Sequence, residues 1–203
     1  MEVHGRPLFE YSLDAIGASR VDDVVLVVPP GLERSEAVAD TNGVSAIVAG
    51  GSSRRESVRL GIGAVALGAS IVVVHDAARP FASAALFDRI VEALKRTAAE
   101  GVRGVVPVVT SPDTLKRVSG SRVVETLARD SVMLVQTPQA FDSRALAEAH
   151  ERAEATGLEA TDDARLLEAA AYSVGVVEGE PGNFKVTTED DLRRAEEILG
   201  RAR

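Results

Sequence analysis

Two rhythms of apolar and polar positions alternate along the chain. Short continuous apolar runs occur at Val24–Val28, Ser45–Val48, Ile71–Val74, Gly104–Val109 and Val174–Val177. Rich in β-branched residues and without polar alternation, they read as strands buried on both faces, as in a parallel sheet. Between them apolar residues recur at helical spacing. Leu8–Ala18 places Leu8, Phe9, Leu13 and Ile16 toward one side, and a helix capped by Ser83 and running to about Ala98 carries the stripe Leu86, Ile90, Val91 and Leu94. Further helices are predicted at Glu56–Leu67, weakened by Gly61 and Gly63, at Ser143–Ala155, at Asp162–Ala171, and at Glu189–Leu199 with Thr188 as cap. Strands alternating with helices predict an α/β fold with a doubly wound, mostly parallel sheet and right-handed crossovers. The rhythm breaks once. Asp113–Val118, a Ser119-Gly120-Ser121 turn and Val123–Leu127 read as a β-hairpin, and Val132–Val135 returns to the sheet. A short extended segment is expected at Lys185–Thr187. A hairpin of this kind cannot bury its own faces, so it is expected to pack against something, a second subunit included.

Composition narrows the picture. With 203 residues, 45% of them apolar, the chain is long enough for one domain spanning 1–203, with the 110–131 arm as an excursion within it. There is no Cys, which excludes disulfides, thiolate catalysis and Cys-based zinc sites. A net charge of -8 argues against a general nucleic-acid binder. No window approaches eighteen uninterrupted apolar residues and no secretory leader opens the chain, so a cytoplasmic location without membrane or nucleic-acid partners is expected.

Candidate chemistry gathers at the ends of the predicted strands. The run Ile71–Val74 passes into His75-Asp76-Ala77-Ala78-Arg79-Pro80, and Pro80 prevents its continuation. In open α/β sheets, ligands bind outside the carboxyl ends of the strands. His75 and Asp76 are neighbours on an extended segment and point to opposite sides, so they cannot be base and orienter of one triad. His75 reads as a strand-end histidine satisfied by backbone. No Gly-x-Ser-x-Gly elbow occurs, and His4, His75 and His150 have no metal-ligand spacing. Gly50-Gly51-Ser52-Ser53-Arg54-Arg55-Glu56-Ser57 lies between a strand and a helix. Its glycines, free helix N–H groups, Ser57 hydroxyl and arginines suit an anion. Arg79, Lys116, Arg117, Arg129 and Lys185 stand at element ends or on the hairpin. An acidic chain that gathers cations there suits a phosphorylated substrate.

Five segments in order resemble the 2-C-methyl-D-erythritol 4-phosphate cytidylyltransferase family. They are Val74–Pro80, Ser111–Arg117, Gln136-Thr137-Pro138-Gln139-Ala140-Phe141, Thr161-Asp162-Asp163-Ala164 and Phe184-Lys185-Val186-Thr187-Thr188. The resemblance implies a Rossmann-like nucleotidyltransferase fold. It also implies a reaction: CTP and methylerythritol phosphate give the diphosphocytidyl adduct and pyrophosphate, a step of the non-mevalonate isoprenoid route. Mg²⁺, bound mainly through the CTP phosphates, is implied as cofactor. By matched position, Gly51, Ser52 and Ser57 would contact the nucleotide with Arg54 nearby, and Ala77 and Asp76 would lie by the ribose or the metal–triphosphate. Asp76, Arg79, Thr137 and Thr161 would hold the sugar phosphate, and Lys185 would stabilise the transition state between the two phosphates. Thr114 and Arg129 correspond to arm residues that reach a partner's site, which implies a homodimer through the 110–131 arm.

One departure from the family pattern carries an expectation. The family opens with a strand and a loop of the type Pro-Ala-Ala-Gly-x-Gly-x-Arg ending in Pro-Lys, which wraps the CTP phosphates. Met1–Leu8 matches the stretch just after that pair. The expectation is a sheet with a vacant central position, N-terminally incomplete, and a chain inactive or nearly so as written. Other readings of the same residues are ribitol-5-phosphate cytidylyltransferase and a non-catalytic, nucleotide-sensing paralogue. Asp22-Asp23, Asp162-Asp163 and Asp190-Asp191 are adjacent pairs, not the Asp-x-Asp of a metal-dependent glycosyltransferase.

Overall fold

Period-two alternation decides which way each central strand faces. On β5 (Ile71–Val74), Val72 points to one side of the sheet, and Ile71 and Val73 point to the other. β6 (Val102–Thr110) divides Val106 and Val108 from Val105 in the same way. One face is covered by α3 (Ala84–Thr97), which buries Leu86, Phe87, Ile90 and Leu94. The other is covered by α4 (Ser143–Thr156) and α5 (Asp163–Ala169) through Leu146, Leu166 and Leu167 around Phe141. A sheet with helices on both faces is the doubly wound α/β arrangement. The computed structural model describes residues 1–35, 38, 41 and 43–201.

The main sheet runs β11 (Ser173–Glu178), β6, β10 (Gln139–Asp142), β5, with β9 (Met133–Val135) pairing the carboxyl half of β6. β11 is parallel to β6, whereas β10 is antiparallel to both β6 and β5, so β5, β6 and β11 point one way with β10 reversed among them. β10 is absent from the pattern-based expectation. Four residues directly after Pro138, two of them polar, give neither a period nor a β-branched run, yet Gln139, Ala140 and Phe141 are buried. The remaining expected elements hold with shifts at their ends. α1 spans Leu8–Gly17, β3 Val25–Val28, β4 Ala46–Ala49 and α6 Glu189–Arg201. α2 (Arg54–Ile62) stops before the expected Leu67, at a Gly63 cap, as the two glycines foreshadow. Lys185–Thr187 forms no strand; its Val186 N–H donates to the Ala78 carbonyl at 2.8 Å and pins the segment beside the end of β5. A small hairpin, β1 (Glu2–Val3) with β2 (Arg6–Pro7), turns through His4 and Gly5, both at positive φ.

The expected arm is present as β7 (Lys116–Ser119) and β8 (Arg122–Thr126), antiparallel around Gly120 and exposed along its length. Val118, Val123 and Val124 stand open on it.

β3 and β4 pair in parallel with each other but, among the described residues, form no ladder with the main sheet. Val25–Val28 and Ile71–Val74 both line one cavity of about 730 Å³, with side chains of α1, α2 and α3 also in its lining.

Candidate active site

Two loops and one extended segment converge where β4 and β5 end. After β4, Gly50 donates its N–H to the Val28 carbonyl at 2.7 Å, and the Gly51 N–H reaches Ser57 Oγ at 3.0 Å. Ser53 caps α2 by accepting from Glu56 N–H, and the Glu56 carboxylate accepts both the N–H and the hydroxyl of Ser52 at 2.7 Å. Ser52 thereby holds the Glu56 carboxyl below its usual range. A Cβ at Gly51 would fall 2.2 Å from Glu56 Cγ, so a larger residue there would have to push the Glu56 side chain out of its present place. Gly51, Ser52 and Ser57 form one cradle, and at present a carboxylate of the same chain sits against its donors.

Asp76, at the end of β5, is the centre of the charge. Its Oδ1 accepts from Arg54 Nε at 3.2 Å and its Oδ2 from Lys185 Nζ at 2.8 Å. Burial pushes the Asp76 carboxyl up, but the Lys185 hydrogen bond and the Arg54 charge outweigh it and hold the group below its ordinary value. For Arg54 burial again opposes the charged form, and the charges of Asp163 and Asp76 prevail, so its proton is held more tightly than usual. Ala77 is exposed at the same rim and lines the cavity.

Beyond Asp76 the site rests on a hydrogen-bonded frame. Thr137 Oγ1 accepts the Asp76 N–H at 3.0 Å and lies 3.2 Å from His75 Nδ1, while His75 Nε2 lies 3.1 Å from the Arg79 carbonyl. One tautomer satisfies all three contacts: Nε2–H donates to Arg79, and the Thr137 hydroxyl donates to Nδ1. His75 is therefore a backbone-satisfied strand-end residue, as its position suggests. Arg79 Nη1 donates to the Asn183 carbonyl at 2.9 Å, and the fully buried Asn183 donates through Nδ2 to the Thr137 carbonyl at 2.8 Å. Burial lowers the Arg79 pKa. Thr161 is exposed at the entry to α5. Thr114 and Arg129 stand on the arm, where Arg129 donates to the Pro112 carbonyl at 2.9 Å. The structure thus gathers Asp76, Arg54, Lys185, Thr137 and Arg79 with the Gly51–Ser57 cradle; Thr114 and Arg129, on the arm, make no hydrogen bond to that group among the described residues. Sequence reasoning missed Asn183, Gln136, Asp163 and His150, all buried. For Gln136 and Asp163 the signal was their place inside the quoted motifs.

The His75 environment has a measurable consequence. Burial, chiefly, lowers its pKa to about 4. A folded-state value below the unfolded one means the unfolded chain binds more protons between about pH 6.5 and 4. Stability is present above the unfolded value and lost as pH falls through that window, by up to about 3 kcal/mol. Urea unfolding at pH 7 and at pH 4.5 should show a smaller loss in His75→Asn than in the parent; equal losses would refute the assignment.

The arrangement can bind anions from two sides of a buried carboxylate, with Arg54 and Lys185 as fixed charges. Comparison with known proteins bears on what those anions are. The family model described as 2-C-methyl-D-erythritol 4-phosphate cytidylyltransferase matches residues 1–201. A protein named "2-C-methyl-D-erythritol 4-phosphate cytidylyltransferase" from Thermus thermophilus is 39% identical over 98% of this chain and 86% of its own length. The "Bifunctional enzyme IspD/IspF" of Anaeromyxobacter dehalogenans is 46% identical over 88% of this chain but only 46% of its own length; the chain spans about half of such bifunctional relatives. Among solved structures, the Thermus thermophilus cytidylyltransferase superposes with a TM-score of 0.84 over 98% of this chain and 92% of that one, at 39% identity. The 4-diphosphocytidyl-2C-methyl-D-erythritol synthase of Anaerococcus prevotii does so with 0.88 over 99% and 92%, at 32% identity. Matched along nearly its whole length in sequence and in fold, this chain belongs to the 2-C-methyl-D-erythritol 4-phosphate cytidylyltransferase family.

Proposed function

We propose that the site transfers a cytidylyl group from CTP to 2-C-methyl-D-erythritol 4-phosphate and releases pyrophosphate, a step toward isoprenoid precursors. The observation that carries this is the Arg54–Asp76–Lys185 cluster set between the Gly51–Ser57 cradle and the Arg79–Thr137 frame. The attacking group, a phosphate oxygen, is already anionic, so no base is required. It forms a bond to the α-phosphorus of CTP while the bond from that phosphorus to the bridging oxygen breaks and pyrophosphate leaves. What the protein must supply is position and neutralisation of charge. Gly51, Ser52 and Ser57 hold the nucleotide, and phosphate oxygens displace the Glu56 carboxylate from the Ser52 donors. Arg79, Thr137 and Thr161 hold the sugar phosphate. Asp76 keeps Lys185 beside both, and the ammonium meets the charge that grows at the reacting phosphorus.

Mg²⁺ suits this donor set in one way. Both Asp76 oxygens are engaged by cations, and no group of three or more His, Asp or Glu side chains with metal-holding geometry occurs among the described residues. A magnesium ion would be held chiefly by the triphosphate, with Asp76 the carboxylate of this cluster that could support it, and would offset phosphate charge. The exposed valines of the arm, with Thr114 and Arg129 on it, support a homodimer in which the arm reaches the partner's sugar-phosphate side.

The sugar is the point to test. With CTP and Mg²⁺ present, methylerythritol phosphate and ribitol 5-phosphate offered together at equal concentration should yield the diphosphocytidyl methylerythritol product in at least tenfold excess by mass spectrometry. Excess of the ribitol product would reassign the substrate. No product from either, with calorimetric CTP binding intact, would favour a nucleotide sensor.

A further inference from the structure

Behind Asp76 the ionic contacts continue inward. Arg54 Nη1 donates to Asp163 Oδ2 at 2.8 Å, and the other Asp163 oxygen lies 2.9 Å from His150 Nε2. The row reads His150, Asp163, Arg54, Asp76, Lys185, and each oxygen of the two carboxylates has its own partner. It begins in the core: His150 on α4 and Asp163 at the start of α5 are each 1% exposed. His150 Nδ1 is buried with no partner, so the tautomer that fits is Nε2–H donating to Asp163, with a bare lone pair at Nδ1 rather than an orphaned N–H. Asp163 then accepts from His150 with one oxygen and from Arg54 with the other.

Burying a carboxylate and a guanidinium this way is poor value as stabilisation, because well-packed apolar side chains of like volume do as well or better. What such a pair does supply is a fixed geometry. Arg54 begins α2, and its guanidinium is forked between two acids 87 positions apart in the chain (163 − 76). Without Asp163 nothing in this row would stop Arg54 from swinging wholly onto Asp76 or outward to solvent, and Asp76 would lose the fixed partner that leaves its second oxygen for Lys185. We propose that Asp163 and His150 are positioning residues, touching no substrate, that lock Arg54 and through it the Asp76–Lys185 pair. This rests on the cytidylyl-transfer reading for its kinetic consequence but not for its structural one.

The test uses the full chain and reads Arg54 directly. In ¹H–¹⁵N spectra the Arg54 Nε–H should be resolved and slow to exchange. Asp163→Asn is isosteric and can still accept from His150, but it turns an NH₂ toward the guanidinium. His150→Leu removes the donor to Asp163, and His150→Gln restores one. Arg54 Nε–H exchange should rise at least tenfold in Asp163→Asn and His150→Leu, and stay within twofold of the parent in His150→Gln. In pyrophosphate-release assays the first two should lower kcat about tenfold with KM for CTP changed less than threefold. If His150→Leu fails to fold, Asp163→Asn decides alone. Unchanged Arg54 exchange in a folded Asp163→Asn protein overturns the proposal. Arg54 loosened with no effect on turnover, while Lys185→Ala abolishes turnover, overturns the kinetic part. No effect of Lys185→Ala either would indict the functional reading instead.

Discussion

An upstream extension that supplies an apolar strand and a Gly-rich, Arg- and Lys-bearing loop should raise pyrophosphate release from CTP at least a hundredfold over the 203-residue chain itself. The expectation rests on β3 and β5 lining one cavity with, among the described residues, no ladder between them. Triphosphate charge is neutralised by donors aimed at its oxygens, and removing one such donor from an active site commonly costs about 10²–10³ in rate. In the proposed function the Gly51–Ser57 cradle would hold one side of a nucleotide, and the loop implied by the family resemblance would hold the other. The same extension should stabilise the fold. Four or five apolar residues buried on both faces contribute roughly 1.5–3 kcal/mol each, against about 1–2 kcal/mol per residue of backbone ordering. A net gain of about 3 kcal/mol would raise the unfolding midpoint by roughly 6–12 °C in a domain of this size. Calorimetric scans and turnover, run side by side on both chains, check the two effects separately. Equal turnover with an unchanged midpoint would mean that the cavity is no strand site.

Lys185→Ala should lower turnover about a hundredfold, the scale of losing one preorganised charge, while moving stability by less than about 1 kcal/mol. The small stability effect follows from exposure: the Lys185 side chain is 41% exposed, and Asp76 keeps Arg54 when the lysine goes. The large kinetic effect follows from what Lys185 does that Arg54 cannot. Arg54 is held from behind by Asp163, whereas the ammonium has only Asp76 and stands free to turn toward phosphate. Urea unfolding and steady-state kinetics on one preparation give both numbers. Wild-type turnover in a folded Lys185→Ala protein would remove the residue from the site.

How much of this was legible beforehand depended on the kind of signal. Buried parallel strands announce themselves as β-branched runs, and caps such as Ser83 mark where helices begin, so the alternation of elements could be read directly. β10 could not, because its place comes from pairing with β5 and β6 on either side and not from any pattern of its own. Site residues divide in the same way. Asp76 at a strand end declares itself, but its union with Lys185 joins positions 109 apart and is a fact of topology. His150 sits among alanines on a helix, with nothing in its neighbourhood to set it apart from a solvated histidine. The family resemblance supplied Lys185, Thr137 and Arg79 as a set, which periodicity alone would have left as separate surface charges and polar groups.

The separation of the β3–β4 pair from the main sheet also bears on how ligands would be felt. The Gly51–Ser57 cradle follows β4, while Asp76 and Arg79 follow β5 and Thr137 lies between β9 and β10 of the main sheet, and the Arg54–Asp76 bond crosses between the two. Regions with few ladder hydrogen bonds to the rest of a fold open locally at lower free energy than the core. A ligand that touches both sides therefore acts as a brace: its binding energy is spent in part on closing the weaker unit against the stronger one, and the whole chain gains resistance to unfolding as the ligand concentration rises.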